Sequence, residues 1–398
     1  MSNWEWKKIG DVAEIKGRIG FRGYTKSDLV KKGEGAITLS PSNIKDNKLI
    51  FDNCSYISWA KYDESPEIQV SIGDIVFCKT ASIGKVAIVE SLPEKTTLNP
   101  QFIVLKKITC NNKYLYYYLF CPELKKKIQA ITTGTAVPTL SQSNFSAIKL
   151  PIPPLAEQKR IVKTLDEKFA KIDKLKTAAE TNLKNAKELF YAELKKTFHE
   201  KGSWKTVQLG EIALEYGRGK SKHRPRNDEC LFGGEYPFIQ TGDIRNSGKY
   251  VVDYTETYNE IGLAQSKLWP KGTLCITIAA NIAETAILTF PCCFPDSVIG
   301  FVPNEQYSSV DFIYYVILYF RTELQKISKG AAQDNLNLAK LESMNFPLPP
   351  LSVQKEIVAR LDKLSENVKR LEANYKQIIA NCDELKKTTL KQTFQGGN

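Results

Sequence analysis

Histidine is almost missing from this chain: 398 residues include two, along with two methionines. General acid–base chemistry and metal ligation both rely heavily on imidazole. His199 falls at the end of a helical pattern and His223 in a basic stretch, and neither is expected to have a nucleophile or a second metal ligand beside it. The nine cysteines are odd in number and form no Cys-x-x-Cys pair, which fits a reducing cytoplasm better than a disulfide framework. Cys292 and Cys293 are adjacent, but without another ligand at suitable spacing they do not predict zinc. No apolar run is long enough to span a bilayer. The opening Ser2-Asn3-Trp4-Glu5-Trp6 is no signal peptide, so the expected location is cytoplasmic, with no membrane partner. Gly219-Lys220-Ser221 invites a phosphate-loop reading, but the earlier glycine of that loop would fall at Leu214. There is also no glycine-rich cofactor loop after a strand pattern and no Asn/Asp-Pro-Pro-aromatic motif of amino-methyltransferases. Glu193-Leu194-Lys195 and Glu384-Leu385-Lys386 lie on helical patterns without an upstream Pro-Asp. A non-catalytic chain with no metal and no cofactor of its own is expected.

What is plentiful is positive charge. Lys and Arg number 56 against 44 Asp and Glu, a net charge of +12, and this balance favours a polyanionic partner.

The chain also repeats itself. Pro151-Ile152-Pro153-Pro154-Leu155-Ala156-Glu157-Gln158-Lys159 returns as Pro347-Leu348-Pro349-Pro350-Leu351-Ser352-Val353-Gln354-Lys355. Proline fixes φ, removes a donor and pushes the preceding residue into extended geometry, so each copy predicts a sharp helix start. Ile9-Gly10-Asp11-Val12-Ala13 corresponds to Leu209-Gly210-Glu211-Ile212-Ala213, and Gly73-Asp74-Ile75-Val76 to Gly272-Thr273-Leu274-Cys275. The chain is a tandem of two half-proteins, each a globular domain followed by a long helix. The expected boundaries are a domain at 1–150, a helix at 151–200, a domain at 201–346 and a helix at 347–398.

Apolar spacing gives those helices a purpose. In the second, Ile357, Leu361, Leu364, Val368, Leu371, Tyr375, Ile378, Cys382 and Leu385 alternate steps of four and three, the 3.5-residue period of a coiled-coil seam. In the first, Ile161, Leu165, Phe169, Ile172, Leu175, Ala179, Leu183, Ala186, Phe190, Leu194 and Phe198 step more often by four, which suits a straighter helix. Each spans roughly 40 residues, or about 60 Å at 1.5 Å per residue. Neither has another apolar partner of equal length, so they are expected to pair antiparallel with each other. That arrangement would set the domains at opposite ends of a rod.

Within the domains, Ile75-Val76-Phe77, Val86-Ala87-Ile88-Val89 and Phe102-Ile103-Val104-Leu105 read as strands. Residues 114–130 and 311–328 read as one amphipathic helix per domain. The expected fold class is α+β: two α/β domains in tandem repeat, separated by two long antiparallel helices forming a coiled coil.

At this point the residues resemble a family. The duplicated Pro-x-Pro-Pro-Leu-x-x-Gln-Lys motif opening two long helices, with Trp204 to Ile212 reading Trp-x-x-x-x-Leu-Gly-Glu-Ile, resembles the specificity (S) subunit of type I DNA restriction-modification systems. Val353 stands where the first copy has Glu157, while Gln354 and Lys355 remain. The resemblance covers nearly the full chain. It implies that each domain is a target recognition domain reading half of a split, asymmetric site in double-stranded DNA. It also implies that the helices are a ruler and a dock for two methyltransferase (modification) subunits. Restriction/translocase subunits would be further partners, and partner subunits would bind S-adenosylmethionine and ATP.

The clearest DNA-facing candidates in the second domain lie in residues 217–226: Arg218, Lys220, Lys222, His223, Arg224 and Arg226. Gln240, Thr241, Asp243 and Asn281 follow them. In the first domain they are Arg18, Arg22 and Lys26, then Lys79, Thr80, Ser82 and Lys85. Gln333, Asn335 and Asn337 are weaker candidates. Cations neutralise phosphates or fork onto guanine, while amides and hydroxyls discriminate base edges. A solvated basic loop is the plain alternative for residues 217–226. For the whole chain the alternatives are a non-DNA coiled-coil scaffold and, more remotely, the recognition half of a restriction system with a single partner enzyme.

Overall fold

The computed structural model describes residues 4–18, 23–133, 138–199, 204–279, 282–327 and 338–395. They divide into two compact units, one of residues 1–180 with 377–398 and one of residues 181–376.

The first unit is held by two sheets. One has the order Glu14–Gly17, Phe102–Lys106, Ile75–Cys78, Val86–Ile88, all antiparallel. The other runs Thr96–Leu98, Gly35–Leu39, Ser55–Ser58, Leu29–Val30, and its first pair is parallel. Ile75-Val76-Phe77-Cys78 reads as an unbroken apolar run because the strand is buried on both faces. Ile75 and Phe77 join a core with the helices, while Val76 and Cys78 join a core with the second sheet. The strand period of two is therefore present in the packing but invisible in the hydropathy.

The second unit repeats the plan on other residues. Ala213–Arg218, Val298–Pro303, Leu274–Thr277, Thr285–Leu288 and Tyr250–Val251 make a five-stranded sheet, and a four-stranded sheet contains Phe232–Phe238. Again Leu274 and Ile276 face the helices and Cys275 faces the other way. The glycines aligned before these central strands, Gly73 and Gly272, both sit at positive φ (93° and 85°), a turn conformation that side chains resist.

Each domain closes on itself. Glu5–Lys8 pairs antiparallel with Lys149–Ile152, and Lys205–Val207 with Phe346–Leu348. The residues that follow the first strand of each pair are repeated because they form a capping box. Asp11 accepts from the N–H of Lys8 at 2.9 Å, and Glu211 from that of Gln208 at 3.1 Å.

Among the helices, the two long ones and those that join the domains to them are α1 (Asn112–Leu119), α2 (Leu155–His199), α3 (Val310–Ile327) and α4 (Leu351–Gln395). α2 and α4 are continuous over 45 residues each and start directly after the proline pairs. The single amphipathic helix expected over 114–130 is instead two, α1 and Pro122–Ile131. Pro122 lacks an N–H and Cys121 before it is extended, so the helix must stop and restart. The counterpart α3 has no proline and runs unbroken through its described residues.

In the first unit Ile161, Leu165, Phe169 and Ile172 of α2 share a core with Cys382, Leu390 and Phe394 of α4 and with Tyr114, Leu115 and Tyr118 of α1. In the second unit Leu194 and Phe198 of α2, Ile357 and Leu361 of α4, and Phe312, Ile313 and Tyr315 of α3 do the same. The long helices pack against each other and against the domain helix at once. Their pairing is antiparallel within each unit. Lys176 meets Asp383 at 2.7 Å and Lys386 meets Asp173 at 2.5 Å in the first, and Arg360 donates to Thr197 at 2.8 Å in the second.

The seam differs from the sequence expectation at particular residues. Ile161, Leu165, Ile172, Ile357, Leu361 and Val368 are buried, and Leu183, Phe190, Leu364, Tyr375 and Ile378 are half-buried. Leu371 and Leu385 are more exposed than the rest of the seam, 37% and 51%, and so is Leu175. A strict heptad on a straight helix drifts about 20° per repeat. From Leu364 onward one row moves to the next residue, through the half-buried Glu372 and Lys386. Lys386 takes the inward place expected for Leu385, with its ammonium 5.3 Å from the Phe169 ring centre. No described helix is long and apolar enough to cross a membrane.

Candidate nucleic-acid interface

The basic stretch of the second unit begins at a strand end. Arg218 closes the strand Ala213–Arg218, and Gly219 follows with its N–H bonded to Val298 O at 2.8 Å. A Cβ on Gly219 would meet Phe294 O at 2.3 Å, so only glycine lets the chain pass here. Beyond it the loop is fastened from several sides. Gln265 Oε1 accepts the N–H groups of Lys222 and His223 at 2.7 and 3.1 Å, and Ser266 Oγ donates to Lys220 O at 3.0 Å. Arg224 turns back and donates to the carbonyls of Ser221 and His223, both at 2.7 Å. Arg218 Nε donates to Asp296 O at 2.7 Å, and Arg226 pairs with the Asp296 carboxylate at 2.8 Å. Lys220 and Lys222 are exposed, and among the described residues neither has an ion pair. Arg218, Arg224 and Arg226 are exposed as well but are tied to carbonyls or a carboxylate, so these two lysines are the exposed cations of the loop without such a partner among the described residues.

His223 is not isolated. Its Nε2 lies 2.9 Å from Asp228 Oδ2, and Cys230 Sγ completes a group whose donor atoms all lie within 4.8 Å of one another. This corrects the expectation that His223 has no second ligand beside it. The hydrogen bond from His223, with those from Cys230, holds the Asp228 carboxyl down at about 2, while Asp228 raises the Cys230 thiol. The spacing His-x4-Asp-x-Cys carried the signal, but a single turn had to fold it together.

The other candidates separate. Arg18 is a correction: it is 8% exposed, donates to Ser65 Oγ and Leu98 O, and lies over the Tyr24 ring, so its guanidinium is committed inside the first unit. Lys26 is exposed on a short turn capped by Thr25 and Asp28. Lys79, Thr80, Ser82 and Lys85 share the turn between Ile75–Cys78 and Val86–Ile88, which Thr139 pins through Thr80. Ser82 is exposed there, while Lys85 is half-buried and its ammonium donates to Pro41 O at 2.8 Å. Gln240 and Asp243 form the capping box of the helix Thr241–Asn246, and Gln240 Nε2 also bonds Glu256 at 2.8 Å. That local work accounts for Asp243, while Thr241 is half-buried at the helix start. Arg22, Asn281, Gln333, Asn335 and Asn337 lie outside the described residues.

The duplicated glutamine has a defined task. Gln158 Oε1 accepts the N–H of Asn111 at 2.8 Å, while its Nε2 donates to Pro153 O at 2.7 Å. Gln354 Oε1 accepts from Ser309 N at 3.1 Å, and its Nε2 donates to Tyr307 O and Pro349 O, both at 2.9 Å. Both amides are buried. Each locks a proline turn to the start of its domain helix, which proline's missing N–H groups could not do.

A family model for the type I restriction modification DNA specificity domain matches residues 1–185 and again 201–380. The chain belongs to that family. It carries two such specificity domains in tandem, one on each repeat. The chain is similar to the MjaX type I restriction enzyme specificity subunit of Methanocaldococcus jannaschii, 26% identical over 391 residues, covering 93% of this chain and 89% of that one. It is 29% identical over 240 residues to the EcoR124I/EcoR124II specificity subunit of Escherichia coli, covering 56% of each. Among solved structures, a chain from work on assembly and conformational transition of the type I R-M system superposes with a TM-score of 0.76 at 19% identity, covering 99% of this chain and 98% of that one. The HsdS subunit of Thermoanaerobacter tengcongensis gives 0.62 at 19% identity, covering 99% and 97%. These structures share the fold of this type I specificity-domain chain.

Proposed function

We propose that this chain is the non-catalytic DNA-sequence-specificity subunit of a type I restriction-modification complex. Each domain reads one half of a bipartite, asymmetric target in double-stranded DNA. The two long helices dock two methyltransferase subunits and set the half-site spacing. S-adenosylmethionine and ATP are then bound by the partner subunits, with restriction/translocase subunits as further members of the complex.

The observation that carries this reading is the doubling: the DNA-specificity family model fits both repeats separately. The net charge of +12 supplies the sequence-independent attraction to phosphates. The domains differ where a reader would differ. Residues 217–226 of the second are densely basic, while the matching stretch of the first buries Arg18.

The test is methylome sequencing of cells carrying this chain with its methyltransferase, against cells lacking it. Two short half-sites around a fixed gap are expected. A soluble complex that produces no new methylation would overturn the reading. Equal binding of random and unique DNA, lost together with salt, would favour a scaffold with a basic surface.

A further inference from the structure

His223, Asp228 and Cys230 bring an imidazole nitrogen, a carboxylate oxygen and a thiol sulfur within 4.8 Å of one another. This is the donor set of borderline transition metals; calcium and magnesium prefer oxygen alone. A tetrahedral zinc site holds its donors about 2.0–2.3 Å from the metal, which places them roughly 3.3–3.8 Å apart. The three atoms could reach that geometry by side-chain rotation.

The backbone beneath them is already fixed. Gln265 Oε1 holds the N–H groups of Lys222 and His223, and Asn259 Nδ2 donates to Cys230 O at 2.9 Å and to Phe232 O at 3.1 Å. Leu231, next to Cys230, is in the core. The three side chains stay half-buried or exposed, so an ion could enter and keep a water as its fourth ligand.

The geometry points to a single zinc-class site at His223, Asp228 and Cys230, fastening the basic loop of the second domain. The occupied cluster is neutral where the ionised Asp228 alone left it anionic, so with a neutral imidazole binding raises the loop's positive charge by one rather than masking it. The thiol proton is released to solvent as the metal binds. The nearest cations do not occupy the site, since Arg226 is paired with Asp296 and Arg224 with backbone carbonyls. The matching stretch of the first domain, residues 16–26, contains no His and no Cys, so the site belongs to one domain only.

The test uses the full chain, stripped of metal and kept reduced. Co2+ is titrated as a spectroscopic probe, and Zn2+ in competition with a chromophoric chelator. One equivalent is expected, with a cobalt–thiolate charge-transfer band that vanishes in Cys230→Ser. Affinity for Zn2+ should fall by about tenfold or more in His223→Ala and in Asp228→Asn. An independent reading on the unaltered chain is alkylation of Cys230 followed by peptide mapping, which Zn2+ should slow by about tenfold or more. No stoichiometric binding, a thiolate band surviving in Cys230→Ser, or Cys230 alkylated equally fast with and without Zn2+ would each overturn the site. In those cases the His223–Asp228 bond is a metal-free loop clip. None of these readouts depends on DNA, so they can fail while the specificity role stands.

Discussion

The Tyr315 hydroxyl donates to Asp362 Oδ1 at 2.5 Å, tying helix α3 to helix α4, and Lys249 reaches the same oxygen at 2.5 Å. The first unit repeats the arrangement with Tyr117 on Asp166 at 2.5 Å, but there Lys113 stands off at 3.4 Å. The Lys249 side chain is also far more enclosed, 11% exposed against 42% for Lys113.

Asp362→Asn is therefore expected to cost more than Asp166→Asn. A hydrogen-bonded charge at a half-screened position gives about 1–2 kcal/mol for the first and less than about 1 kcal/mol for the second. Urea denaturation of both variants checks the order; equal losses would contradict it.

The same phenols predict an alkaline response. Burial, and then the bonded aspartate, raise Tyr117 and Tyr315 well above the ordinary tyrosine value of about 10. A raised folded value gives stability that is full below about pH 10 and is lost as pH climbs beyond it. Tyrosinate absorbance should show both phenols ionising only with unfolding, and Tyr117→Phe with Tyr315→Phe should shrink that step.

The buried amides make a sharper test of the repeated motif. Gln354→Ala leaves the N–H of Ser309 and the carbonyls of Tyr307 and Pro349 without their partner, at a cost of about 1–3 kcal/mol. A denaturation midpoint within error of the parent would show that the glutamine is not a clasp.

Position along α4 should decide the cost of truncating leucine. Leu361 lies in the core of the second unit, so Leu361→Ala should cost about 2–5 kcal/mol. Leu371 keeps 37% of its surface in solvent, so Leu371→Ala should cost clearly less, about 1 kcal/mol. A large loss at Leu371 would restore it to the seam.

For DNA, the two unpaired lysines carry the expectation. Lys220→Ala and Lys222→Ala should each weaken binding and lower the salt slope by about one, with recognition disturbed at one half-site only. Arg224→Ala should act through the loop, because its guanidinium is folded onto Ser221 O and His223 O. Loss at both half-sites would remove residues 217–226 from the interface.

The helix starts after Pro154 and Pro350 and the tandem plan were legible because proline chemistry is local and was written twice. Leu371 was not, because a 3.5-residue pattern fixes the seam only if the helix bends to follow it. Nor was Arg18: a guanidinium in a glycine-rich stretch reads as exposed until Ser65 and Leu98, far along the chain, come to meet it. Asp228 and Cys230 lay in plain view beside His223, but their convergence depends on Gln265 and Asn259, which no spacing rule connects to them.

The paired strands that close each domain, Glu5–Lys8 with Lys149–Ile152 and Lys205–Val207 with Phe346–Leu348, bring the chain in and out side by side. Everything between those strands forms a loop in the topological sense, and the helix that follows is bonded back to it at a few backbone groups, through Gln158 to Asn111 and through Gln354 to Tyr307 and Ser309. Such a module can gain, lose or exchange its reading surface by a single replacement between two neighbouring points.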